Sequence, residues 1–238
     1  MLDAHAHIAP DVTGPQLAAL GSTVVFAVTR SIAEARQVAR RTDPGIVWGL
    51  GVHPGVPAAL DNYDEDTFAK ALPYFGLVGE VGLDRRGSLS QQRAVLDSIL
   101  TVCQHQPVLL SLHSTGRTAQ LLEALTATPH PGAILHWFTG TVEQVDAAVA
   151  LGAHFSVNAA MDPTLIAAIP PERLLTETDF PSSRKRTQAK KPGDVQAAER
   201  LIADIHEIEA RTLVAKNLSR LLTSMGTDAR ALIDRGSQ

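Results

Sequence analysis

The chain is short of several things, and each shortage closes off a class of answers. Cysteine occurs once, at Cys103, which excludes an internal disulfide framework and suits a reducing compartment. No uninterrupted apolar run is long enough to cross a bilayer, and the first residues carry no basic stretch followed by an apolar core. A secretory signal and a membrane partner are therefore not expected, and the expected location is the cytoplasm. Positive charge is not in excess: 21 Lys and Arg against 25 Asp and Glu leave a formal net charge of -4. No global field draws in nucleic acid, so any such contact has to rest on a local patch or on bound metal. Aromatic residues reach only 4%, leaving Ala, Leu and Val to fill the core. Repeats, low-complexity tracts and linkers are missing as well, so residues 1–238 are expected to form a single domain.

What is present is a rhythm. The 238 residues are 45% hydrophobic and 19% charged, the balance of a globular protein with a sizeable core. Eight apolar, strand-like runs recur: "LDAHAHI" (2–8), "TVVFAV" (23–28), "GIVWGLGV" (45–52), "FGLVGEVGL" (75–83), "PVLLSLH" (107–113), "GAILHWF" (132–138), "AHFSVNA" (153–159) and "RLLTET" (173–178). Between them lie helical patterns such as "SIAEARQVARR", "SQQRAVLDSILTVCQ", "TAQLLEALTAT" and "VEQVDAAVAL". Strands alternating with amphipathic helices imply parallel βαβ units, and eight of them in this length fit one α/β fold, a (β/α)8 TIM-type barrel. An open doubly wound sheet is the alternative, but the glycine fingerprint that such a fold places after its first strand is lacking. Two closing helices are expected from "DVQAAERLIADIHEIEA" and "ARTLVAKNLSRLL".

Polar residues interrupt the apolar runs at particular points. In "MLDAHAHI", Asp3, His5 and His7 alternate with Leu2, Ala4, Ala6 and Ile8, so in a regular strand all three would share one face. Two residues of strand advance roughly 6.6 Å, which lets two imidazoles converge on one ion about 2.1 Å from each. At or near the C-terminal ends of later strands come His53 in "GVHPG", Glu80 in "VGEVGLD", His113 in "SLHS", His136 in "ILHWFTG" and Asp179 in "TETDFP". A lone strand histidine is ordinarily a satisfied core residue, but barrel active sites assemble at that same end from several strands, and polar groups there are costly unless paired or ligated. Four imidazoles with two carboxylates suit zinc, manganese or iron, and also magnesium. Without thiolates, a closed structural zinc site is not expected. Two ions roughly 3.5–4 Å apart and bridged by a carboxylate would act jointly on a phosphate ester or a carbonyl.

The ordered series "DAHAHI", "GVHPG", "GEVGLD", "SLHS", "HWFTG" and "TETDFP", continued by "KPGDV" and "VAKNLSRLL", resembles the TatD family of metal-dependent hydrolases and deoxyribonucleases along essentially the whole chain. The resemblance implies the same eight-stranded barrel. It implies that His5 and His7, helped by Asp179, bind one metal, and that Glu80 bridges to a second held by His113 and His136. It gives Asp179 the further task of orienting or deprotonating the attacking water, and His53 a contact with substrate rather than metal. Within the family, "HWFTG", "FSVNAAM" and "LTETDFP" look like a branch from bacterial anti-phage defence clusters, which would add partner proteins of a defence complex. The sequence also departs from the family pattern: the arginine usual after "HS" is delayed to Arg117, aromatics after "GLD" are replaced by Arg85 and Arg86, and a proline after "TD" sits one place later, behind Phe180.

The chemistry so implied is hydrolysis of a phosphodiester by a dinuclear site of Mg, Mn or Zn ions, of 3'-5' exonuclease type on single-stranded DNA. Substrate contacts are expected from the basic segment 182–191, "SSRKRTQAKK", with Arg184 foremost, and from Trp137, which can stack on a base; Phe180 is expected to pack under its loop. Arg85 and Arg86 read as surface charges and Cys103 as a buried, inert thiol. Two other readings stand beside this one. A small-molecule amidohydrolase of lactonase or deaminase type would share the paired histidines and the late aspartate, although many such enzymes carry a modified lysine where this chain has Glu80. A catalytically silent binding subunit of a defence complex would keep the site without turnover.

Overall fold

Eight of the apolar runs pair as strands: β1 Leu2–His7, β2 Val24–Val28, β3 Ile46–Leu50, β4 Leu77–Gly82, β5 Leu109–His113, β6 Ala133–His136, β7 His154–Val157 and β8 Leu174–Thr176. A computed structural model describes them within residues 1–182 and 184–234. Each strand pairs in parallel with the next, in the order β1 to β8, and at least one helix fills every interval between successive strands. The architecture is the expected (β/α)8 barrel. The seam between β8 and β1 is closed by Thr176 Oγ1 donating to Leu2 O at 2.6 Å, Asp179 N to His5 O at 2.9 Å and His7 N to Phe180 O at 2.8 Å.

Side chains fill the barrel. Leu2, Ala4, Phe26, Val28, Val47, Leu77, Leu109, Ile134 and Leu175 form an inner cluster, as the packed interior of such a barrel requires. Leu221 and Leu222 of the helix Ala210–Ser224 and Leu232 of the helix Ala229–Asp234 belong to the same cluster, so the closing helices stopper the N-terminal end. The outer layer follows from helical spacing. In Leu89–Cys103 the buried Val95, Leu96, Ile99, Leu100 and Cys103 recur at intervals of three and four and form the stripe that meets the sheet. Ser88 and Thr141 accept hydrogen bonds from Gln91 N and Gln144 N and so cap the helices that follow them.

Three expectations need correction. The strands are shorter than the apolar runs: β6 stops at His136 because Trp137 takes a left-handed conformation (φ 35°), and β8 stops at Thr176 while Asp179, three residues on, is again left-handed (φ 48°). Alternation in β1 is broken, since its register against β2 slips between Asp3 and Ala6, and a bulge of this kind re-aims side chains. Asp3 therefore faces the seam, where its carboxylate accepts from Thr178 N (2.8 Å), Thr178 Oγ1 (2.6 Å) and Gly193 N (2.7 Å). A third closing element, the helix Ala229–Asp234, joins the two that were expected.

Candidate active site

Seven of the residues singled out in the sequence converge at the C-terminal rim. Their centre is Glu80, buried on β4, where the register against β5 slips between Val78 and Val81 just as β1 slips beside His5. Glu80 divides its oxygens between two groups. Oε1 lies 2.6 Å from His113 Nδ1 and 3.0 Å from His136 Nε2. Oε2 faces His5, His7 and His53, whose Nε2 atoms are 3.6, 3.3 and 3.3 Å away. Asp179 Oδ1 stands 3.7 Å from Nε2 of both His5 and His7. His53 reaches the rim because Gly51, at the end of β3, comes so close to the Thr29 carbonyl that any side chain would collide with it.

These spacings suit a metal. An ion about 2.1 Å from each donor holds neighbouring donors roughly 3.0–3.4 Å apart, and four of the five imidazoles around Glu80 lie at or just beyond that separation, while His113 stands closer, at hydrogen-bond distance. His5 Nε2 and Glu80 Oε2 are buried and have no hydrogen-bond partner, which is costly for polar atoms in a protein interior unless a cation satisfies them. Three sets of side chains could hold an ion: His5, His7 and Glu80; His5, His136 and Asp179; and His53, Glu80 and His113. Hydrogen bonding argues against His53 as a ligand. Its Nδ1 accepts from Gly55 N at 2.8 Å, so a neutral ring carries its proton on Nε2, the atom that faces Glu80.

The electrostatics favour positive charge at the centre. Burial opposes ionisation of Glu80, but His136 and His113 more than reverse it and hold its carboxyl well below the usual range. Burial would likewise lower both imidazoles, yet Glu80 raises each above its ordinary value, with help from Asp84 for His113 and from Glu177 for His136. Asp179 moves the other way: burial, reinforced by Glu177 and Glu80 against the pull of His136, raises it to about 7. Burial lowers His53 to about 4.

Several residues that shape the centre had been given no role. Asp84 Oδ2 lies 2.8 Å from His113 Nε2 and so turns His113 Nδ1 inward. Arg86, expected as a surface charge, binds Asp84 with two nitrogens, both at 2.9 Å, because it sits against Gly55, where a side chain would displace it. Glu177, fully buried, accepts from Trp137 N, Asn158 Nδ2 and Ser156 Oγ, and lies 3.8 Å from His136 Nδ1. Ser111 Oγ is 2.7 Å from His5 Nδ1. Asp84 and Glu177 lie inside the quoted "GLD" and "TETD", so the signal was a second acid beside each ligand motif. Outward from the centre, half-buried Trp137 lines a pocket next to His136 and carries Arg186 over its ring at 5.7 Å. Arg184 lies instead over Phe180, also at 5.7 Å, outside that pocket's lining, and Lys191 is turned away onto Ala19 O. Ser183, in the middle of the basic segment, falls outside the described residues.

A (β/α)8 barrel that gathers imidazoles and carboxylates around an unsatisfied buried donor pair, at its C-terminal rim, defines a hydrolase of the metal-dependent barrel class. The family model described as TatD related DNase matches residues 2–223, and the chain belongs to that family. A curated relative from Edwardsiella piscicida, named 3'-5' ssDNA/RNA exonuclease TatD, is 30% identical over 63% of this chain and 64% of its own length, a little under two thirds. Among solved structures, the TatD homolog YJJV from Escherichia coli K12 superposes with a TM-score of 0.76 at 22% identity, covering 93% of this chain and 97% of that one. A TatD family hydrolase from Entamoeba histolytica gives 0.72 at 16% identity, with 96% and 98% covered. At these identities the structures speak for the fold.

Proposed function

We propose that the protein hydrolyses phosphodiester bonds in single-stranded nucleic acid, DNA foremost, removing nucleotides in the 3'-5' direction with two divalent ions (Mg, Mn or Zn). The observation that carries the reading is the division of the Glu80 oxygens between two sets of imidazoles. On this reading His5, His7 and Asp179 hold one ion, His113 and His136 the other, and Glu80 is shared. When bound, divalent ions supply Lewis acidity, which makes water a stronger acid and offsets charge on phosphoryl oxygens. Asp179 accepts the proton of the attacking water, being the carboxyl that faces both His5 and His7 at 3.7 Å. His53 donates a hydrogen bond from Nε2–H to a substrate oxygen. Asp84, 2.8 Å from His113 Nε2, would hold that ring with Nδ1 turned inward to an ion, and Glu177, 3.8 Å from His136 Nδ1, adds negative charge behind the other ring. Trp137 offers a face to a base, and Arg184 a charge to the strand further out. The name of the Edwardsiella relative supports the substrate class.

The test is a 5'-labelled single-stranded oligonucleotide incubated with manganese-loaded protein, beside a panel of lactones. A ladder that shortens from the 3' end and vanishes with Asp179→Asn, whose fold and metal content are intact, supports the reading. Lactone opening without nuclease action would replace it with the amidohydrolase reading. Equal inertness of wild type and variant on every substrate would favour a binding subunit. The motifs "HWFTG", "FSVNAAM" and "LTETDFP" support a role in cytoplasmic anti-phage defence with partner proteins, which phage challenge of cells carrying either form tests.

A further inference from the structure

Beside the metal-ligand cluster, and sharing His113 and Asp179 with it as floor, opens a pocket of about 480 Å³ whose walls carry Arg85, Arg86 and Arg186. We infer that this pocket is a subsite for a second phosphoryl group, carried by the nucleotide adjacent to the bond that is cut. The assignment rests on the phosphodiesterase reading for its place in the reaction, while its charge and shape are properties of the pocket alone.

Three arginines line one cavity together with the acids Asp84 and Asp179, and of the three only Arg86 is paired, with Asp84. Among the described residues neither Arg85 nor Arg186 has an ion-pair partner, and Arg186 is held only over the Trp137 ring. Like charges gathered without a counter-charge repel one another, so such a cluster is stabilised by an anion, and the planar guanidinium fork matches a phosphate in particular. The loop that presents Arg85 and Arg86 is braced. Arg117 Nη2 donates to Arg85 O (3.3 Å) and Gly87 O (2.9 Å), Gln92 Nε2 to Arg86 O (2.6 Å), and Arg85 N to Thr115 O (2.8 Å). Gly116 is left-handed (φ 69°), and a side chain there would come within 3.0 Å of Arg85 Cβ, so the two loops pack closely. Thr115 and Thr139 add hydroxyls to the wall with no protein hydrogen-bond partner among the described residues. Binding therefore costs little ordering of the backbone that carries the charges.

Calorimetry of manganese-loaded protein with thymidine 3',5'-bisphosphate, 5'-phosphorylated dithymidine and thymidine 5'-monophosphate tests the inference without any need for turnover. One of the two ligands with a second phosphate should bind about tenfold tighter than the monophosphate, the size of a charge-assisted contact. Preference for the bisphosphate identifies a terminal phosphate as the occupant, and preference for the dinucleotide an internal one. The Arg85→Gln, Arg186→Gln double variant should cut the preference below threefold, and the control Arg220→Gln should keep it. Equal affinity for all three ligands, or a preference that survives the double variant, overturns the subsite. A protein that shows the preference yet degrades no oligonucleotide would retain the subsite and lose the nuclease reading, so the two fail separately.

Discussion

Replacing Glu80 with Gln is the most searching perturbation of the centre, because one buried carboxylate faces five imidazoles within 3.6 Å. An amide keeps the volume but has one oxygen, so whichever way it turns, its NH2 meets either the His113 and His136 pair or the His5, His7 and His53 group. For an ion bound with a Kd of about 1 μM and supplied at 1 mM, binding stabilises the native protein by about 4.1 kcal/mol. At about 2–4 °C per kcal/mol for a chain of this size, that raises Tm by about 8–16 °C. A hundredfold loss of affinity removes about 2.7 kcal/mol of it, leaving a rise of about 3–6 °C. Thermal scans by circular dichroism with EDTA and with manganese measure both values. The metal-free scans carry a second, opposite check. The native Glu80 carboxyl is depressed below its ordinary value of 4.5, so its contribution is present above that pH and is lost as pH falls through the native value. Glu80→Gln should therefore melt lower than wild type near neutrality, and the gap should close in acid. A variant with an undiminished manganese shift would show that Glu80 is not shared between ions and would remove the basis of the two-ion reading.

Two further outcomes concern the scaffold. Asp3→Asn sets an amide donor against a buried backbone donor at the seam, Gly193 N, which now sits 2.7 Å from Asp3 Oδ2; a loss of about 1–3 kcal/mol, read as a Tm lowered by about 2–12 °C, is expected, and an unchanged Tm would refute the seam assignment. His154 on β7 is lowered from 6.5 to about 4 by burial and by Arg173, and its Nδ1 is buried without a partner. The native state therefore resists a proton that the unfolded chain accepts, and stability should fall as pH drops from about 6.5 to 4, by about 3 kcal/mol in total. Urea midpoints of wild type minus His154→Gln, followed across that range, should trace the fall, and parallel curves would refute it.

Periodicity was enough to read the barrel, because each strand of three to six residues lies in an apolar run between helices whose buried faces repeat every three or four positions. The ligand-type residues were legible for a related reason. His113 and His136 are the last residues of their strands; the end of β5 is readable because its apolar run ends there, whereas that of β6 is not, since Trp137 and Phe138 continue the run. Orientation and partnership were not legible. Asp3 shares the parity of His5 and His7 in the sequence but not in space, since the slip between Asp3 and Ala6 intervenes. The grip of Asp84 on His113 spans 29 positions and that of Glu177 on Trp137 N spans 40, and nothing in a single sequence pairs an acid with one histidine out of nine. Arg86 is the exposed charge that was expected, but its pairing with Asp84 was not legible, because it depends on a loop whose shape is set by Gln92 and Arg117.

The positions where regular geometry fails coincide with the positions where the site is built. Among the described residues register slips on only two of the seven strand pairs, at the segments carrying His5 and Glu80, and two of the left-handed non-glycine residues are Trp137, next to His136, and Asp179 itself. A conformation of that kind costs on the order of 1–3 kcal/mol and persists only when its surroundings over-determine it. Here they do: Trp137 N donates to Glu177 at 3.1 Å and Asp179 N donates to His5 O at 2.9 Å, so each irregular turn is tied by its own amide to a residue of the site. A regular barrel would have pointed alternate side chains into a packed interior and left no acid facing the imidazoles. The bulges and the left-handed turns are what bring groups from distant strands to one point, and the hydrogen bonds that hold those turns end on residues of the site itself, the Glu177 carboxylate and the His5 backbone carbonyl.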